Sequence, residues 1–133
     1  MKRFLLIGSW VIALGITMAA QDDADYQGWM KSVGATVGSL RKNLEAKNGD
    51  AASADAKKLQ AIFDHVHDYW LKKNVDDATK FASDAGEGFG TLADQAAAGK
   101  FADASATLKT TSANCGGCHA AHREKTADAF KIK

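Results

Sequence analysis

Between Asp23 and Lys47 the large apolar residues fall at Tyr26, Met30, Val33, Val37, Leu40 and Leu44, four and three positions apart in alternation. That spacing holds one stripe on one side of an α-helix and predicts a helix packed lengthwise against others. Asn48-Gly49-Asp50 ends it, with Gly49 suited to the left-handed conformation that closes many helices. A second stripe, Ala52, Ala56, Leu59, Ile62-Phe63, Val66 and Tyr69-Trp70, runs to about Lys73, where two lysines meet the negative end of the helix dipole. A third helix, capped by Asp76 or Asp77, carries Ala78, Phe81, Ala82, Ala85, Phe89, Leu92 and Ala96. Gly86, Gly88 and Gly90 weaken it by roughly 1 kcal/mol each relative to alanine, unless a bulky neighbour needs the room beside the backbone. After a break at Gly99-Lys100 the fourth stripe is Phe101, Ala104, Leu108, Ser112, Cys115, Cys118-His119 and His122. Four such helices joined by short loops predict an all-α fold, an antiparallel four-helix bundle. The stripes are rich in alanine, so the core they form is thin, and a further group is expected to fill it.

The first 20 residues read differently. Lys2 and Arg3 precede an apolar run from Phe4 to Ile16, followed by the small residues Ala19-Ala20, the pattern of a secretory signal peptide cleaved after Ala19 or Ala20. The alternative is an uncleaved anchor, but Gly8, Ser9 and Gly15 interrupt the run and it falls short of the ~20 residues of a membrane span. No cysteine follows the cleavage site, so a lipid anchor is not indicated. Residues 21–133 are then one exported domain, periplasmic in a Gram-negative cell, without stable membrane insertion.

Composition narrows the function classes. The chain has 133 residues, no proline and two cysteines, which excludes a multidomain enzyme and a multi-disulfide scaffold. Its formal charge is +1, and loss of Lys2 and Arg3 leaves 15 basic against 16 acidic residues, so no basic face for nucleic acid is expected. No nucleophile–base pair is visible, and the chain is not expected to be an enzyme.

The chemistry concentrates at Cys115-Gly116-Gly117-Cys118-His119, a C-x-x-C-H sequence, the attachment site of a c-type haem. Two thiols at this spacing add to the two haem vinyl groups, and the histidine after the second cysteine coordinates the iron. Gly116 and Gly117 leave room for the chain to curl against the porphyrin edge. Three other readings of the same residues exist. A redox disulfide would need a thioredoxin-like βαβ context, and no strands are expected. A zinc site from Cys115, Cys118, His119 and His122 would crowd four ligands into eight residues, against tetrahedral geometry. The third is chance.

With its C-x-x-C-H motif near the C-terminus of an exported four-helix chain, the sequence resembles the cytochrome c prime family, the class II c-type cytochromes. The resemblance spans residues 21–133 and rests on Met30-Lys31-Ser32-Val33-Gly34, on Trp70 and Phe81, and on the haem motif followed by Arg123. It implies one covalently bound haem c, held by Cys115 and Cys118 with His119 as proximal ligand. It also places Met30 at the position facing the other side of the iron. Residue arithmetic agrees: of Met1, Met18 and Met30 only the last survives signal removal, and Gly34 and Gly38 follow it along the helix at i+4 and i+8. The plain alternative is that Met30 is a flexible core filler. Methionine–histidine ligation implies a low-spin carrier passing electrons between redox partner proteins. A five-coordinate iron binding small gases such as NO or CO is the alternative.

The family's arginine four residues before the distal position is Tyr26 here, so a propionate partner is absent there or supplied elsewhere. Arg123 stands i+4 from His119, within reach of a propionate if the helix continues. His122 is expected to make an edge contact or none, and His65 and His67, flanking Val66, to lie at the surface. Trp29 packs either on the haem or at a subunit interface; the resemblance implies a homodimer through the first two helices. The tail Phe130-Lys131-Ile132-Lys133 carries no readable site.

Overall fold

The computed structural model describes residues 11–127 and 130–133, with side chains from residue 21 onward. Four helices follow one another: α1 (Val11–Glu45), α2 (Gly49–Lys72), α3 (Asp76–Ala97) and α4 (Phe101–His122). Two short strands, β1 (Arg123–Lys125) and β2 (Phe130–Ile132), form an antiparallel ribbon after them. The helices pack against one another as the four stripes require, α2 against both α1 and α3, and α3 against α4. Residues 1–10 of the expected signal segment lie outside the described residues. From Val11 the backbone of α1 runs unbroken through Ala19-Ala20, so this helix begins well before Asp23, and it ends at Glu45 rather than Lys47. No helix among the described residues is long and apolar enough to cross a membrane.

The three interhelix turns share one construction. Each is three residues long and contains one left-handed residue: Lys47 (φ 54°), Asn74 (φ 57°) and Gly99 (φ 72°). In each, the first amide beyond that residue reaches back five positions to a carbonyl, Asn48 to Asn43 (2.9 Å), Val75 to Trp70 (3.2 Å) and Lys100 to Gln95 (2.9 Å). This is the Schellman closure of a helix, and turns this short return the next helix antiparallel. The left-handed position after α1 is therefore Lys47, not Gly49. Gly49 instead opens α2, capped by Asn48, whose side-chain oxygen accepts from the Ala51 amide. A methyl group on Gly49 would stand 2.6 Å from the Ala96 carbonyl oxygen, so this glycine serves the close approach of α2 to the end of α3. At α3 the N-cap is Val75, with Asp76 and Asp77 in the first turn; the Ala78 amide donates to Asp77 Oδ1 (2.9 Å).

Burial follows the stripes. On α2 and α3 every expected stripe residue is buried except Phe81, which is half-buried. Leu40, Leu59, Leu92, Ala52, Ala56, Ala96 and Ala104 are fully buried where the end of α1, the start of α2, the end of α3 and the start of α4 meet. The glycines of α3 admit neighbours, as their spacing allowed: a methyl on Gly88 would meet Thr111 Oγ1 of α4, and one on Gly90 would stand 2.8 Å from Gln60 Nε2 of α2.

Candidate cofactor site

One pairing in the bundle is nearly missing. α1 and α4 touch at only a few points, and between them opens a cavity of about 840 Å³. From α1 it is lined by Tyr26, Met30, Lys31 and Gly34, among others, and from α4 by Cys118, His119 and His122. Arg123 and all three residues of β2 complete the lining. A second cavity of about 50 Å³ shares Met30, Cys118 and His119 and adds Cys115, Phe63, Val66 and Phe81. Met30 thus faces the same space as both cysteines and His119, although 85 residues separate it from Cys115 in the chain. Nothing lies near Gly34 on the side where a Cβ would project, so the wall beside Met30 is open.

Cys115 and Cys118 are free, half-buried thiols one helical turn apart on α4. Burial raises both above the ordinary thiol range, Cys118 to about 11, with the charge of Asp77 and then Cys115 adding to the effect there. Burial, followed by the nearby Arg123 charge, lowers His119 below the ordinary histidine range. Its imidazole is therefore neutral at neutral pH, the form that donates a lone pair to a metal. The two glycines between the cysteines have different surroundings. A methyl on Gly117 would stand 2.8 Å from the Phe81 ring, whereas Gly116 faces open space. Gly117 is thus small to let α3 and α4 meet, and only Gly116 has free room around it.

An aromatic cluster holds α1 to α2 beside the cavity. Tyr69 donates to Asp23 Oδ1 (2.5 Å), and Trp70 Nε1 donates to the Tyr26 hydroxyl (3.3 Å). Tyr26 stacks against Tyr69 with centroids 4.5 Å apart. It is buried, and desolvation pushes its hydroxyl up to about 12. Tyr26 is therefore part of the α1–α2 seam. His122 donates from Nε2 to Asp77 Oδ2 (2.8 Å), tying the end of α4 to the start of α3, and its ring lies 5.1 Å from Trp70. That contact lowers the Asp77 carboxyl below its ordinary range.

The expectations for Arg123 and for the tail need correction. Arg123 is not on the helix: it caps α4 in an extended conformation (φ −120°, ψ 128°), so the i+4 relation to His119 does not apply, although the residue still lines the cavity. Its guanidinium sits over the Phe130 ring at 4.0 Å. The tail, which carried no readable site, supplies Phe130, Lys131 and Ile132 to the cavity lining. An alternation of lysine with Phe130 and Ile132 was the only sign of a strand there. Trp29 is not among the lining residues; it stacks on His65 of α2 at 5.3 Å. His65 is exposed and His67 half-buried beside Asp68, and neither lines the cavity.

The competing readings of the motif fare poorly in this geometry. Among the described residues no three His, Cys, Asp or Glu side chains, those of Cys115, Cys118, His119 and His122 included, are placed together so as to hold a metal ion. The described strands are the two of the ribbon, so the cysteines have no βαβ setting. No known protein family, curated protein or solved structure matches the chain.

Proposed function

We propose that the chain is an exported monohaem c-type cytochrome of the class II kind, carrying electrons through iron held by His119 and Met30. The observation that supports this most is the shared lining: Met30 and Gly34 of α1 face Cys118 and His119 of α4 across one space. The residues fit the group. The cavity volume falls in the ~300–1,000 Å³ range of cofactor sites, and it lies where two helices stand apart. Two unpaired thiols on one helix face, a neutral imidazole and a thioether opposite make a donor set that suits haem c.

Bound haem c supplies a one-electron Fe(III)/Fe(II) couple. The protein's residues do the rest. Cys115 and Cys118 would form the two thioether links and so hold the group to α4. His119 would supply an imidazole lone pair to the iron. Met30, on a helix tied to α2 by the Tyr69–Asp23 and Trp70–Tyr26 hydrogen bonds, would supply its sulfur as the second ligand. A thioether favours Fe(II) and raises the potential relative to a second histidine. Both ligands sit on helices, so neither has to move when an electron arrives. Removal of residues 1–20 after export delivers residues 21–133 to the periplasm, where such a carrier meets its redox partners.

The test is the mass and visible spectrum of the exported protein. A covalent haem adduct, sharp α and β bands on reduction and little response to carbon monoxide are expected. Met30→Ala should turn the reduced spectrum broad and high-spin and open the iron to carbon monoxide. A wild-type protein that is already high-spin and binds carbon monoxide at once makes Met30 a packing residue and the protein a gas binder. Absence of a Soret band refutes both.

A further inference from the structure

We infer that the C-terminal ribbon is the fourth wall of the cofactor site, with Phe130 and Ile132 as site residues that close the side α1 and α4 leave open. This rests on the cytochrome reading and extends it to residues with no part in the haem motif. An antiparallel bundle has four helix–helix seams, and here three are closely packed while the fourth holds the cavity. The ribbon occupies that fourth side: all of β2 lines the cavity, together with Arg123 of β1.

The ribbon is anchored in a specific register. Arg123 pairs with Ile132 and Lys125 with Phe130. The Lys133 amide donates to the His122 carbonyl oxygen (3.0 Å), which ties the end of the tail to the end of α4. The Arg123 guanidinium packs over the Phe130 ring at 4.0 Å, and Ile132 rests against the core. A two-stranded ribbon with three residues per strand does not persist alone in water. Among the described residues Phe130 is one of two large apolar side chains that remain exposed, at 46%. An exposed ring that borders an apolar space, in a ribbon needing a surface to lie on, is accounted for if a flat apolar group fills that space.

The consequence is electrostatic. Apolar cover limits water at the cofactor edge and disfavours the more highly charged oxidised state, so the wall raises the potential. We would compare the exported wild-type protein with a chain ending at Thr126, with a Phe130→Ser/Ile132→Ser variant, and with Phe130→Leu. The first two should favour the oxidised form at least tenfold, equal to 59 mV for one electron, with wild-type far-UV circular dichroism; Phe130→Leu should recover most of the shift. Amide exchange in β1 and β2 should slow at least tenfold in the haem-loaded protein relative to a Cys115→Ala/Cys118→Ala apoprotein. A haem-loaded, folded serine variant whose redox equilibrium stays within twofold of wild type overturns the inference and leaves the cytochrome reading intact. Unchanged ribbon exchange on loading overturns it too. A wild-type protein without covalent haem removes the cytochrome reading, and the wall with it.

Discussion

The two ends of the bundle are built from the same stripes and behave differently. At one end Leu40 of α1, Leu59 of α2 and Leu92 of α3 are all 0% exposed, and alanines from all but α1 let the helices close around them. At the other, Met30 lies on the same α1 stripe as Leu40, yet it is half-exposed and borders a cavity of about 840 Å³. The difference comes from what faces α1. At the closed end α4 presents Ala104 and Leu108 to the core. At the open end α4 presents Cys118 and His119, and α1 is held to α2 by the Asp23, Tyr26, Tyr69 and Trp70 side chains. Apolar packing that needs no further group is concentrated away from the site, and the site is framed by polar and aromatic contacts that hold a gap open. Dense packing and the cavity therefore occupy opposite ends of one bundle, and the proposed function draws its site from the less densely packed part of the fold, as binding regions generally are.

That contrast is open to direct attack. The largest effect is expected at the closed end: Leu59→Ala should lower stability by about 2–5 kcal/mol, read by urea or thermal unfolding, while the visible spectrum of the loaded protein stays as it was. A loss of that size accompanied by a changed iron spectrum would show that the two ends are coupled. Within the site, Gly117→Ala pushes a methyl towards Phe81 and should cost about 1–3 kcal/mol, whereas Gly116→Ala, facing open space, should be neutral or stabilising by up to about 1 kcal/mol from helix propensity alone. Equal effects from the two glycines would place the requirement in the cofactor rather than in the α3–α4 contact.

The aromatic seam makes a pH-dependent prediction. Burial raises Tyr26 from an unfolded value near 10 to about 12 in the folded chain. A group raised on folding contributes fully below its unfolded value and loses that contribution as pH climbs through the folded one. Stability should thus fall by on the order of 2 kcal/mol between pH 10 and 12, and Tyr26→Phe should flatten that part of the profile. An unchanged alkaline slope in the variant would remove Tyr26 from the account. The smallest effect belongs to Asp77, whose carboxyl is lowered by His122. Its contribution is present at neutral pH and disappears as pH falls through the lowered value. Asp77→Asn should remove a shallow acid-side slope in denaturant titrations, small because the pair is exposed on the Asp77 side.

The helices were legible because their periodicity is a property of the chain itself. Tyr26, Val33, Leu40 and Leu44 are buried as their spacing required, and so is nearly every stripe residue of α2 and α3. Turn details were less legible. A left-handed residue after α1 was expected at Gly49, because glycine adopts it without strain, but α1 ends at Glu45 and closes through Lys47, while Gly49 opens α2 against the Ala96 carbonyl. Arg123 was read along a continuing helix that stops one residue earlier, where the chain turns into a strand.

The sequence by itself determined the four stripes, the placing of the C-x-x-C-H motif on the last helix and the choice of Met30 as the thioether to watch. The stripes and the motif are matters of spacing along one chain, whereas Met30 was picked out by the resemblance to the class II cytochromes and as the methionine left beyond residue 20. Only the tertiary structure decided that α1 and α4 stand apart, that Met30 and His119 line one cavity, and that Phe130 and Ile132 line it too. Those facts depend on which helices pack closely and which do not. That is set by the sum of many small contacts, Gly88 with Thr111 and Gly117 with Phe81 among them, between residues far apart in the chain.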